Sequence, residues 1–221
     1  ALGKSPYGSI IDPLANGLAE EWGKVYAALQ RLGIDGYWLD LGEPERVPAK
    51  ARFGPYSERE FHNHFNEHWL RIVRAAWDKA APGKRPFILS RSGYVGSTRH
   101  NVSFWSGDSR SSFDGLALQT PLGLNAGLSG MPFWGSDVGG FVSDRRPVDK
   151  ELFVRWMQVG AFHPTFRAHG SKSPREPWIY DQATTDLLRG VIEQRYRLLP
   201  YIYATAFESY SRGIPMMRPL F

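Results

Sequence analysis

The amino-acid order predicts an α/β chain in the form of a partial (β/α)₈ TIM barrel. Short apolar runs rich in aromatic and branched residues alternate with longer stretches of helical periodicity, which is the signature of a parallel sheet. No Gly-rich phosphate turn of the dinucleotide kind follows any of these runs. Instead, acid, arginine and histidine follow them, as in barrel enzymes that build their sites at the carboxyl ends of strands. A complete barrel takes about 250 residues, and the repeats in this 221-residue chain do not close one.

Each element has a local reason. Leu18, Trp22, Val25, Tyr26 and Leu29 recur at helical steps, so a helix runs from Leu18 to Leu32 and stops at Gly33. Gly36 to Leu41 reads as a strand. Ser57 to Ala81 is helical, opened by the capping-box pair Ser57 and Glu60 and closed by Pro82 and Gly83. The continuous run Pro86 to Ser90 fits a strand buried on both faces. Strand Val102 to Trp105 precedes helix Ser111 to Gly127, strand Met131 to Gly135 precedes helix Asp149 to Ala161, and strand Pro164 to Arg167 precedes helix Thr184 to Tyr210. Tyr196, Tyr201 and Tyr203 on that last helix read as packing residues.

Composition excludes several classes. Lys and Arg number 27 against 22 Asp and Glu, a formal charge of +5. The basic residues are scattered rather than clustered, so nucleic acid is not the expected partner. No stretch approaches the roughly 18 apolar residues of a membrane span. With Cys 0, disulfide frameworks, thiolate metal sites and thiol catalysis are excluded.

The residues after the strands carry the chemistry. Trp38-Leu39-Asp40 and Trp105-Ser106-Gly107-Asp108 share a form, an aromatic residue shortly before a strand-end carboxylate. Taken singly, each acid could be a helix cap. On alternate strands of a barrel, two such acids can face each other across its mouth, and glycoside cleavage needs that pair. Neighbouring aromatics suit the C–H faces of sugar rings.

Five stretches, DGYWLDLGEPE (Asp35 to Glu45), RSGYVGSTRHNVSFWSGD (Arg91 to Asp108), GMPFWGSDVGGF (Gly130 to Phe141), RWMQVGAFHPTFRAHG (Arg155 to Gly170) and GIPMMRPL (Gly213 to Leu220), follow one another along the chain. With them the sequence resembles the catalytic barrel of glycoside hydrolase family 31, the α-glucosidase and α-xylosidase family. The resemblance implies strands four to eight of the barrel with their helices. It places Asp40 at the nucleophile position and Asp108 at the acid/base position of a retaining mechanism through a covalent glycosyl-aspartate. Such a pair stands about 5 to 5.5 Å apart. Arg91 and His169 match positions that contact the sugar, Trp38, Trp105 and Phe141 match its aromatic walls, and Leu41, Glu43 and Asp137 match supporting positions. The implied substrate is an oligosaccharide with α-linked glucose or xylose, and no metal or organic cofactor is implied.

Two departures qualify the match. Many α-glucosidases of the family read Asp-Met-Asn-Glu where this chain reads Asp40-Leu41-Gly42-Glu43. The run Asp40 to Glu45 is most similar to the α-1,4-transglucosylase branch, so transfer between maltooligosaccharides stands beside α-glucoside hydrolysis, with α-xyloside cleavage next. The second departure is length. Residues 1–212 are expected to be part of the catalytic barrel and 213–221 the start of a linker to a β domain. A fragment that only binds carbohydrate is therefore a further alternative. A periplasmic or extracellular parent protein is compatible with absent Cys and an oligosaccharide diet.

His64-Phe65-Asn66-Glu67-His68 competes as an H-x-x-E-H zinc motif, with both histidines on one helical face. The simpler reading is a solvated face of an outer barrel helix. His100 and His163 read as loop and packing residues, and Trp134 as either a sugar wall or filling for the barrel mouth.

Overall fold

The computed structural model describes residues 10–220. The first nine residues of the expected barrel segment and Phe221 of the expected linker lie outside them. The chain divides after Val102 into two compact units. No helix of the described residues is long and apolar enough to cross a membrane.

The first unit runs through α1 (Leu18–Arg31), β1 (Gly36–Leu39), β2 (Arg52–Phe53), β3 (Tyr56–Ser57), α2 (Glu58–Phe61), α3 (Phe65–Ala80) and β4 (Phe87–Ser90). β1 and β4 are parallel, with Trp38 opposite Leu89 and Leu39 opposite Ser90. Tyr37 joins the sheet to the helices: its ring lies edge-on to Tyr26 at 4.8 Å and to Trp77 at 5.8 Å, and its hydroxyl donates to Tyr26 O at 2.8 Å. The strand expected through Leu41 ends at Leu39, because Leu41 takes a left-handed φ of 62° that no strand continues.

The long helix expected from Ser57 is capped as foreseen. Ser57 N donates to Glu60 Oε2 at 2.8 Å and Glu60 N to Ser57 Oγ at 3.4 Å. It is nevertheless interrupted, since His62–His64 tighten into a 3₁₀ turn before α3 begins. The β2–β3 hairpin went unforeseen, its strands being two residues long. It stacks Phe53 on Phe61 at 4.9 Å in a cluster completed by Phe65.

The second unit opens with β5 (Val102–Trp105) and continues through α4 (Phe113–Ala117), α5 (Gln119–Leu128), β6 (Trp134–Val138), α6 (Lys150–Gly160), β7 (Thr165–Ala168) and α7 (Gln182–Arg212). β5, β6 and β7 are parallel in that order. Between β4 and β5 the described chain carries only a 3₁₀ turn at Ser97–His100. The helix expected from Ser111 to Gly127 is two, bending at Leu118, and Ser112 caps the first by accepting from Gly115 N at 3.0 Å. Asp149 and Asp181 cap α6 and α7 through Leu152 N and Thr184 N.

The strand placed at Met131 to Gly135 lies three residues later, at Trp134–Val138, and every residue of it is buried. Asp137 therefore sits inside a strand rather than after one. Ser136 on the same strand accepts from Trp156 Nε1 at 3.0 Å, which ties β6 to the core of Val138, Leu152, Phe153, Trp156 and Leu188.

The packing role expected of Tyr196, Tyr201 and Tyr203 does not hold, for all three are exposed. The buried residues of α7 are Thr184, Leu188, Val191 and Arg195 in its first half and Ser209 near its end. The helical period brings the tyrosines to the other faces.

His163 does pack. It is 1% exposed, and its ring meets Trp134 edge-on at 5.2 Å. Burial, with the Arg195 charge adding to it, pushes its pKa down to about 4. It is therefore neutral in the native fold, while the unfolded chain takes up a proton near the ordinary value of about 6.5. Stability from this group is complete above pH about 6.5 and is lost as pH falls toward 4, by about 3 kcal/mol. In urea titrations across that range His163→Phe should flatten the pH dependence; an unchanged slope would refute this account.

Candidate active site

In the first unit the site residues gather at the carboxyl ends of β1 and β4. Arg91 follows β4, and its backbone N–H donates to Leu39 O at 3.1 Å, which brings it beside Asp40. The Arg91 side chain is 8% exposed; its Nε lies 3.2 Å from Asp40 Oδ1, and its Nη2 donates to Glu45 Oε1 at 2.7 Å and to Glu43 Oε1. Burial works against the charge on this guanidinium, but Glu43, Asp40 and Glu45 outweigh it and raise its pKa above the ordinary arginine value. Trp38 and Leu41 are both exposed.

Gly42 packs beneath this loop. A β-carbon there would fall 2.5 Å from Asn66 Nδ2 and 3.0 Å from the Trp69 ring. Asn66 is itself fixed, buried and donating to Ser90 Oγ at 3.0 Å. Glycine at position 42 thus has a local cause in the residues of α3.

In the second unit the site residues gather after β5, β6 and β7. Trp105 is buried at the end of β5, and Asp108 is exposed in the loop that follows. Asp137, at 0% exposure, is in register with Arg167 across β6 and β7, and Arg167 Nη2 donates to Asp137 Oδ1. The same guanidinium lies 5.4 Å from the Trp105 ring centroid. Phe141 and His169 stack with ring centroids 5.4 Å apart. Trp134, weighed as a sugar wall, is instead buried against His163.

The H-x-x-E-H stretch is occupied by other contacts. Glu67 Oε1 lies 2.9 Å from His100 Nε2 and 3.7 Å from Arg99 Nε, His64 packs on Tyr94, and His68 Nδ1 lies 2.9 Å from Arg71 Nη2. The stretch is also less solvated than expected, since Phe65 and Asn66 are buried. Among the described residues no group of three or more His, Asp or Glu could hold a metal ion.

Glu45, Arg167 and Arg175 were not foreseen as parts of these clusters. Arg167 lies in β7 two residues before His169, a period-two spacing that could have flagged it, whereas Glu45 lies in a loop with no such signal. Arg175 lies in a Ser- and Pro-containing loop with no such signal.

Parallel strands with charged and aromatic residues at their carboxyl ends define a barrel-type catalytic domain. Residues 2–205 match the model of the glycosyl hydrolases family 31 TIM-barrel domain, and the chain belongs to that family. It is 39% identical over 199 residues to an alpha-xylosidase of Saccharolobus solfataricus, covering 86% of this chain and 27% of that protein. It is 37% identical over 212 residues to alpha-glucosidase 2 of Bacillus thermoamyloliquefaciens, covering 90% of this chain and 26% of the relative. Among solved structures, the family 31 dextranase of Flavobacterium johnsoniae complexed with glucose superposes with a TM-score of 0.91 at 32% identity, over 100% of this chain and 29% of the dextranase. The chain thus spans about a quarter to three tenths of the proteins it resembles, and the expected partial barrel is the observed fold.

Gly42→Asn should destabilise the fold by about 1–3 kcal/mol through overpacking against Asn66 and Trp69. Pairing it with Asn66→Ala should recover part of the loss, and equal instability of the single and double variants in urea titrations would refute the packing account.

Proposed function

We propose that this chain is the C-terminal part of the catalytic barrel of a longer retaining α-glycosidase acting on α-glucosides. The observation that carries this reading is the carboxylate cluster after β1, where Arg91 meets Asp40, Glu43 and Glu45. Three carboxylates around one guanidinium leave a formal excess of two negative charges. A half-buried site of that sign favours a sugar as it gains oxocarbenium character. The Arg91 contact also orients the Asp40 carboxyl.

In this mechanism a carboxylate oxygen of Asp40 attacks the anomeric carbon while Asp108 gives its proton to the departing oxygen. Asp108 then takes a proton from water, whose oxygen displaces Asp40 and restores the original anomeric configuration. Trp38, Trp105 and the Phe141–His169 stack would supply the apolar and hydrogen-bonding walls of the sugar site. The names of the relatives support glucose and xylose as the candidate glycones.

Transglucosylation is the second reading, favoured by Gly42 and the sequence Asp40 to Glu45. It follows the same first step, with a sugar hydroxyl replacing water in the second. Incubating the full-length enzyme with maltotriose separates the two: glucose and maltose alone mean hydrolysis, and longer oligomers from the outset mean transfer. α-Glucose as the first-formed anomer by proton NMR is expected, and β-glucose would overturn retention.

Asp40→Asn should lower kcat by about 10⁴-fold or more, and Asp108→Asn by about 10²- to 10⁴-fold. Ordinary turnover by the Asp40 variant would overturn the mechanism.

A further inference from the structure

Arg175 is 7% exposed, and among the described residues Asp137 and Glu176 act on its charge only from beyond ion-pair contact. A buried guanidinium with no carboxylate touching it must be held by other acceptors. Nη1 donates to Ser173 O at 2.8 Å and to Pro174 O at 3.2 Å, within its own loop after β7. Nη2 donates to Gly140 O in the loop after β6, and to Ser111 Oγ at 3.3 Å in the loop after β5. One side chain therefore touches all three loops that leave the parallel strands of this unit.

The loops are stitched to one another around that point. Ser111 Oγ donates to Gly139 O at 2.7 Å, and Ser111 N to Val142 O at 2.8 Å. Phe141 N donates to Ser109 O at 2.7 Å, and Ser171 N to Phe141 O at 2.9 Å. Gly170 leaves room for the guanidinium, since a β-carbon there would fall 2.5 Å from Arg175 Cζ. Each loop carries a candidate site residue close to its tie. Asp108 precedes Ser109 by one position, Phe141 follows Gly140 directly, and His169 precedes Gly170.

We propose that Arg175 is a positioning residue, a buried cation that fixes Asp108 and the Phe141–His169 stack relative to one another by tying the three loops that bear them. This deepens the functional reading above and rests on it for the part concerning Asp108. Arginine suits the task because its planar fork reaches several acceptors in fixed directions, which an ammonium cannot do. A neutral side chain of similar length would take the guanidinium from Gly140 O, leaving it only the Ser111 hydroxyl at 3.1 Å, and would free the loop after β7 from the other two on this side.

The test uses full-length enzyme carrying Arg175→Met or Arg175→Lys, with Ser111→Ala as a milder variant that removes only the hydroxyl link. Misplacing the acid/base penalises substrates in proportion to their need for a proton. With maltose, whose leaving group needs a proton, kcat/KM, which reports the first step, should fall about 10²-fold in both Arg175 variants. With α-glucosyl fluoride, which needs little protonation, it should fall less than about tenfold, while Ser111→Ala moves the same ratio in the same direction by less. An equal fall on both substrates, or no fall, overturns the proposal, because a merely structural loss lowers the active fraction for every substrate alike.

A second readout does not depend on activity. Amide hydrogen exchange at Ser111, Phe141 and Ser171 should accelerate in Arg175→Met while α6 keeps its protection. Unchanged exchange at the three amides refutes the tie. Should the unmodified enzyme turn over no α-glucoside, the functional reading fails while the exchange result still decides whether Arg175 joins the loops.

Discussion

A charge can sit within a strand buried on both faces, or in the loops packed over its end, only where a partner meets it, and this constraint organises both units. Arg91 is met by three carboxylates at the end of β1. Asp137, wholly buried in β6, is met by the arginine opposite it in register on β7. Arg175 and Arg195 have carbonyls instead, the latter donating to Ala161 O at 2.9 Å, His163 O at 2.5 Å and Pro164 O at 2.8 Å. Removing one partner of such a group costs far more than the contact itself is worth, because the remaining charge stays desolvated. The loops at strand ends are accordingly determined by a few arginines rather than by apolar packing.

The two modes of satisfaction have different consequences. A guanidinium among carboxylates leaves a local field of negative sign, useful where positive charge develops. A guanidinium among carbonyls contributes geometry, since the acceptors are backbone atoms whose position is the thing being fixed. The first unit uses the former beside Asp40, and the second uses the latter around the loop of Asp108. Two acids of similar type thereby stand in unlike surroundings, as the roles proposed for them require.

Periodicity revealed the elements whose burial is one-sided or continuous. α1 was legible from apolar spacing and its stop at Gly33, and β4 from an unbroken apolar run, while β5, α6, β7 and α7 followed from the alternation of strand-like and helix-like stretches. β6 was displaced by three residues because Gly135, Ser136 and Asp137 are polar or small, and only tertiary partners make them acceptable in a buried strand. The β2–β3 hairpin was too short for any period to register. The break at His62–His64 was hidden because a 3₁₀ turn keeps nearly the same side-chain spacing as the helix around it. For the site, the strand-end acids and aromatics were readable because their role follows from position. The pairing of Glu45 with Arg91 and the reach of Arg175 to Gly140 depend on side chains brought together from 46 and 35 positions apart, which no local pattern encodes.

Gly42 shows how a one-residue departure from a family pattern is settled by its surroundings. Asn66 and Trp69 occupy the space that a side chain at position 42 would need, so loop and helix are matched to one another as a set. The same reasoning bounds what Gly42 can say about chemistry. In the proposed mechanism hydrolysis and transfer share the glycosyl-aspartate and differ only in whether water or a sugar hydroxyl is better placed in the second step. A difference of about 1–3 kcal/mol in acceptor binding shifts that partition about 5- to 150-fold. A side chain at position 42 would point at Asn66 and Trp69, so Gly42 can act on that partition only through the position of the Asp40 to Glu45 loop. Under the proposed mechanism, partition between the two acceptors is the property most open to change, and the first step through Asp40 the property least so.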